Sequence, residues 1–161
     1  MKELLIVYFT RTGGSRQMAE AAAAAAREEA QTILKTAIEA GPDDLLRADG
    51  YLFCAPENLA AIAGGMKDFY DRSYYPVLGR IEGRPYAQMV CAGSDGESAA
   101  RQTARIATGW RLKEVQPPLI VCTRAQTQEQ ILAEKTIPEE ELARCREIGA
   151  ALAAGLSLGV F

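Results

Sequence analysis

The segment Thr10-Arg11-Thr12-Gly13-Gly14-Ser15 combines three hydroxyl groups with two glycines. From Ser15 onward the composition turns to strong helix formers, Gln17-Met18-Ala19-Glu20 and an alanine run. The cluster therefore ends at a helix N-terminus, where unpaired N–H groups and the helix dipole favour an anion. A phosphate monoester held mainly by hydrogen bonds suits it. No lysine follows the glycines, so the loop is not a Walker A sequence, and it is not Gly-x-Gly-x-x-Gly either. A later cluster, Ala92-Gly93-Ser94-Asp95-Gly96, comes close to the Gly-x-Ser-x-Gly nucleophile elbow. The chain has no histidine, however, which leaves Ser94 without its usual base and removes the commonest transition-metal ligand. The four cysteines, Cys54, Cys91, Cys122 and Cys145, form no C-x-x-C pair. Six positions beyond Cys54, Cys91 and Cys122 stand Ala60, Glu97 and Gln128, so the arginine of a cysteine phosphatase is missing. No side chain is assigned as a catalytic acid, base or nucleophile.

These clusters need elements to hold them. Leu4 to Phe9 is a continuous apolar run, the pattern of a strand buried on both faces of a parallel sheet. It is followed by the glycine turn and a helix with Ser15 at its N-cap. Thr32 to Glu39 reads as an edge strand carrying Lys35, and Pro42 to Ala48 as a short helix. Tyr51 to Ala55 is a third strand, closed by Pro56-Glu57-Asn58, and a loop reaching Gly64-Gly65 leads to a helix over Met66 to Arg72. Ala87 to Ala92 is a fourth strand, Ser98 to Thr108 a helix, Leu119 to Cys122 a fifth strand, and Pro138 to Leu156 a closing helix. Pro117-Pro118 places the fifth strand at an edge. Strands alternating with helices predict a three-layer, doubly wound α/β domain covering 1–161, with a parallel five-stranded sheet in the order 2-1-3-4-5. Ligands of such sheets bind beyond the carboxyl ends of the strands, near the switch between strands 1 and 3. A phosphoreceiver with the same strand order would need acidic residues where Thr10 and Pro56 stand.

Thr10-x-Thr12-Gly13-x-Ser15 after a first strand resembles the FMN phosphate loop of flavodoxin-like proteins. Ala55-Pro56-Glu57-Asn58 with Gly64-Gly65-Met66-Lys67-Asp68-Phe69-Tyr70-Asp71-Arg72 resembles the second flavin loop and the helix after it, and Ala92-Gly93-Ser94-Asp95-Gly96 resembles the third. The likeness runs from Met1 to about Cys122. It implies FMN as cofactor, with the loop Thr10, Arg11, Thr12, Gly13, Gly14 and Ser15 at the phosphate. It also implies Pro56, Glu57, Asn58 and Leu59 beside the isoalloxazine, backbone amides near Gly64 and Gly65 at N5 or O4, and Gly93, Ser94 and Asp95 at the pyrimidine end.

Electron-carrying members of this group commonly sandwich the ring between aromatic side chains, whereas these loops offer Asn58-Leu59 and Ser94-Asp95. An open flavin face is what a nicotinamide or quinone needs to approach within about 3 to 3.5 Å of the reacting atom. The expectation is therefore an NAD(P)H-dependent oxidoreductase passing electrons through FMN to a quinone or other small acceptor. The alternative is a flavodoxin-type one-electron carrier acting with a redox protein partner. Arg72, Arg101 and Arg105 are candidate receivers of a nicotinamide phosphate, or plain surface charges, and Tyr74-Tyr75 could wall the site, meet another copy in a homo-oligomer, or simply pack. A net charge of -3 lacks the basic stripe of a nucleic-acid binder. The opening run is too short for a signal-peptide core and no stretch approaches the ~20 apolar residues of a membrane span, which points to the cytoplasm. Replacing Thr12 by Ala is expected to weaken FMN binding by roughly 1.5 to 3 kcal/mol, the cost of a lost charge-assisted hydrogen bond. Unchanged affinity in a fluorescence titration would contradict it.

Overall fold

Alternation along the strands sorts the buried residues into two cores. In the computed structural model, which describes residues 1–161, Leu4 and Ile6 of β1 (Glu3–Tyr8) face one side of the sheet and Leu5 and Val7 the other. The same period of two separates Leu52 and Cys54 from Tyr51, Phe53 and Ala55 on β3 (Gly50–Asn58), and Ala87, Met89 and Cys91 from Tyr86, Val90 and Ala92 on β5 (Pro85–Ala92). Strands buried on both faces need a helix layer on each. One layer is α1 (Gly14–Ala26) with α6 (Glu139–Leu158); the other holds α2 (Pro42–Arg47), α3 (Gly64–Val77) and α4 (Glu97–Gly109).

The sheet runs β2 (Gln31–Thr36), β1, β3, β5, and its far edge is shared by β6 (Lys113–Glu114) and β7 (Leu119–Cys122), all parallel. Counted by its five long strands, this is the expected order 2-1-3-4-5. The edge strand is broken because Gln116-Pro117-Pro118 lies between its halves, and proline has no N–H for the ladder. Lys113–Glu114 pairs with Pro85–Tyr86, and after the break Leu119–Cys122 pairs with Met89–Ala92. Sequence patterning misses three short elements: β4 (Ala61–Ile62), which turns back antiparallel on Glu57–Asn58, β6 itself, and α5 (Gln128–Leu132). The helix expected over Met66 to Arg72 starts earlier and ends later, with Pro76 in its last turn, where the missing N–H removes one helical bond just before the helix stops. No helix is long and apolar enough to cross a membrane.

Aromatic packing fills the α2–α3–α4 side. Phe53 meets Tyr70 edge-on at 5.6 Å, Trp110 is fully buried, and Tyr74 stacks on Trp110 at 5.7 Å while its carbonyl accepts the indole N–H at 3.0 Å. Tyr74 is thereby committed to packing at the end of α3 remote from the candidate loops; Tyr75 is exposed. On the opposite side the alanine run of α1 lets α6 come very close. A Cβ built on Gly149 would lie 2.2 Å from the carbonyl oxygen of Ala22. Gly149→Ala must push the two helices apart, and a loss of about 1 to 3 kcal/mol is expected. Urea denaturation checks this; an unshifted midpoint would show that the helices can separate freely.

Candidate functional site

β1 delivers the first loop to the carboxyl edge, where Gly13 adopts a left-handed conformation at φ +89° and becomes the N-cap of α1. A side chain would be strained there. The structure thus corrects the N-cap expected at Ser15: that residue lies inside the first turn, 1% exposed, and its hydroxyl has no hydrogen-bond partner. Thr10 Oγ1 accepts the Gly13 N–H at 2.9 Å and closes the loop. No side chain caps the α1 N-terminus, so its first-turn amides retain their donor capacity. An orphaned buried hydroxyl, an uncapped helix end and a left-handed glycine meet here, a cradle whose free donors suit an anion.

Two adjoining clefts open beside it. One, of about 90 Å³, is bounded by Thr10, Arg11, Thr12, Gly14, Ser15, Pro56, Asn58 and Cys91 together with Ile131 and Leu132. The other, of about 70 Å³, continues past Thr12, Pro56, Glu57, Asn58, Cys91, Ala92 and Gly93 to Thr123, Ala125, Ile131 and Lys135. The loops after β1, β3 and β5 therefore meet at one edge, at the switch between β1 and β3. A larger hollow of about 340 Å³ lies at the amino ends of the strands, between Lys2, Asp49, Arg84 and Phe161. Its Arg84 is spent on the carbonyls of Leu45, Leu46 and Ala48, so it offers no free chemistry.

Other expected site residues stand outside the clefts. Leu59 is wholly exposed at the tip of the β3–β4 turn, where it and Ala60 have φ of +51° and +62°. Two consecutive non-glycine residues in that region are strained, and such strain persists where neighbours over-determine it. Two side-chain clamps do so here: Gln102 Oε1 accepts the Ile62 N–H at 2.6 Å, and the Glu57 carboxylate accepts the Gly96 and Ala99 N–H groups, each at 3.0 Å. Glu57 is thus the anionic cap of α4 and ties the second loop to the third. Gly64 begins α3 with open space around it, and Gly65 packs against the Phe9 ring. Ser94 is exposed, and the exposed Asp95 accepts from the Glu97 N–H at 3.3 Å.

The segment between β7 and α6 lies beyond the reach of the sequence resemblance, yet it crosses this edge. Lys135 N donates to the Thr12 carbonyl at 2.7 Å, Gln17 Nε2 donates to the Lys135 carbonyl at 2.7 Å, and Ile137 N donates to Gln17 Oε1 at 2.9 Å. The lysine that the loop's own sequence lacks is supplied from elsewhere: Lys135 arrives from 123 positions downstream of Thr12. No local motif marks it, because the contact exists only once β7 has carried the chain to the sheet edge. Cys91 lies on the cleft floor; burial pushes its thiol up to about 11 against the opposing charge of Lys135, so it stays protonated at neutral pH and is no nucleophile. Arg72 is engaged by Asp68 and by the Ala37 and Ala40 carbonyls, whereas Arg101 and Arg105 are exposed on α4.

Sheet order, switch-point cleft and three converging loops define a flavodoxin-like α/β fold. Part of the sequence is similar too: over 96 residues it is 38% identical to a flavodoxin of Aquifex aeolicus, a stretch covering 58% of this chain and 50% of the relative. The chain thus matches about half the length of that curated relative. Among solved structures, oxidised flavodoxin 1 from Bacillus cereus superposes with a TM-score of 0.79 at 19% identity, covering 97% of this chain and 100% of that one. A WrbA-like flavodoxin from Agrobacterium tumefaciens gives 0.69 at 20% identity, covering 95% and 96%. At these identities the likeness shows the fold. No family model matches the sequence.

Removing the α4 cap by Glu57→Ala should cost about 1 to 2 kcal/mol, the usual worth of an N-terminal cap, and loosen the strained turn beside the cleft. Thermal unfolding and hydrogen exchange at Ile62 and Gly96 read both effects; unchanged protection would show that the turn is held without the carboxylate.

Proposed function

We propose that this chain is a single-domain FMN-binding redox protein of the flavodoxin type, with the phosphate in the α1 cradle and the ring toward the second and third loops. The carrying observation is the buried, unpartnered Ser15 hydroxyl beside an uncapped helix N-terminus. A buried polar group without a partner costs roughly 1 to 3 kcal/mol, which a bound phosphate would recover. Bound FMN would supply one- and two-electron chemistry at its ring. The chain's part is to hold the phosphate, keep the Glu57-clamped loops in place and exclude water from the ring's inner side.

Clefts of about 90 and 70 Å³ are smaller than the roughly 300 Å³ or more that a ligand of this size occupies. Ile131 and Leu132 must therefore withdraw as the ring enters. They sit on α5, which buries no residue, so its displacement sacrifices little packing.

Electron exchange with a protein partner is the favoured mode. Arg72, one of the candidate receivers of a nicotinamide phosphate, is committed to backbone carbonyls, and the apolar Leu59 stands exposed where a partner could reach the cleft. A second mode, NAD(P)H-dependent reduction of a quinone or other small acceptor, is favoured by one feature: no aromatic side chain borders either cleft. A one-to-one yellow complex with FMN, reducible by a flavoprotein reductase but with negligible steady-state oxidation of NADH or NADPH, is the expected result. Rapid turnover of either nicotinamide with a quinone would establish the second mode, and failure to bind FMN would overturn both.

A further inference from the structure

The Lys135 ammonium carries charge that nothing in the chain neutralises. It donates to the carbonyls of Ile131 at 2.9 Å and Ala133 at 2.6 Å, and it lies 3.4 Å from Thr12 Oγ1. It takes part in none of the ten ion pairs of the protein. The neighbouring Glu134 carboxylate is instead held by Arg16 at 3.3 Å, and Arg16 also meets Glu20 at 3.8 Å. The Lys135 Cβ lies 3.7 Å from the position a Cβ on Gly14 would take, which puts the residue against the first turn of α1. A cation without a counter-ion thus adjoins a helix dipole's positive end and the orphaned Ser15 hydroxyl. Like-signed fields converging on one cleft are costly until an anion enters. The placement does not depend on the side chain, because the backbone N–H and carbonyl of Lys135 are pinned by Thr12 and Gln17.

We propose that Lys135 is a phosphate ligand that makes this site selective for the phosphorylated flavin over the unphosphorylated one. The proposal rests on the FMN reading above. On phosphate entry the ammonium exchanges its bonds to the α5 carbonyls for a charge-assisted bond to phosphate oxygen, which also frees the end of α5 that the ring must displace.

The test compares FMN with riboflavin, which has the ring and ribityl chain without the phosphate, on the full chain. For K135Q the FMN dissociation constant should rise at least tenfold while that of riboflavin changes less than twofold. The preference for FMN should become less sensitive to added salt. K135M should repeat the result without an amide that could replace the ammonium as donor. If both ligands weaken by the same factor, Lys135 merely braces the segment; if FMN affinity stays within twofold, it does not touch the phosphate. Either outcome overturns the proposal while leaving FMN binding intact. Failure of the unmodified chain to bind FMN would instead overturn the flavin reading itself.

Discussion

Peptide N–H groups at the start of α1 must find acceptors, and the chain offers them none. Gly13 turns the backbone left-handed just before the helix, Thr10 takes the one amide that closes the loop, and no side chain caps the first turn. At α4 and α5 the same requirement is met internally, the Glu57 carboxylate accepting two amides at the start of α4 and Thr127 capping α5, and the other uncapped starts, those of α3 and α6, have no orphaned buried hydroxyl in their first turn. The contrast singles out one helix end where unsatisfied donors coincide with a buried hydroxyl. An external anion would complete it.

Rigidity is distributed around that point unequally. β1, β3 and β5 are buried on both faces, and Glu57 and Gln102 bind the strained β3–β4 turn to α4. These parts can hold a cofactor's edge without adjustment. The segment from Thr123 to Pro138 is fixed at its ends, by the Thr123 and Arg124 N–H groups on the Ala92 and Gly93 carbonyls and by the buried Ile137 with the backbone bonds to Thr12 and Gln17, while the short helix between them buries nothing. The site therefore combines a fixed floor with a cover that is fastened at one end to the Thr10–Ser15 loop itself.

Most of the scaffold was legible in the amino-acid order because it depends on local patterns. Continuous apolar runs announced buried strands, glycine turns marked their ends, and Pro117-Pro118 fixed the edge. Ser15 was misplaced as a cap because composition cannot reveal that Gly13 takes the left-handed angle first. The β3–β4 turn escaped notice since Leu59-Ala60 lacks the Asn-Gly chemistry such turns usually carry. Glu57 looked like a charge beside the ring, and only the packing of α4 on the second loop shows that its charge is used on amides. Lys135 was invisible for a further reason: its neighbours Thr12 and Gln17 are more than a hundred residues away in the chain, and no motif spans that distance.

The exposed Leu59 suits a protein surface, and the aromatic-free cleft beside it suits a small reductant. The phosphate cradle is common to every mode and is therefore the claim to test first. Phosphorus NMR of the FMN complex across pH 5 to 8 addresses it directly. A free phosphate monoester titrates near pH 6. A phosphate enclosed by the α1 amides and the Ser15 hydroxyl should stay dianionic, with a resonance that does not move over that range. A bound flavin whose phosphorus signal titrates like that of free FMN would contradict the account.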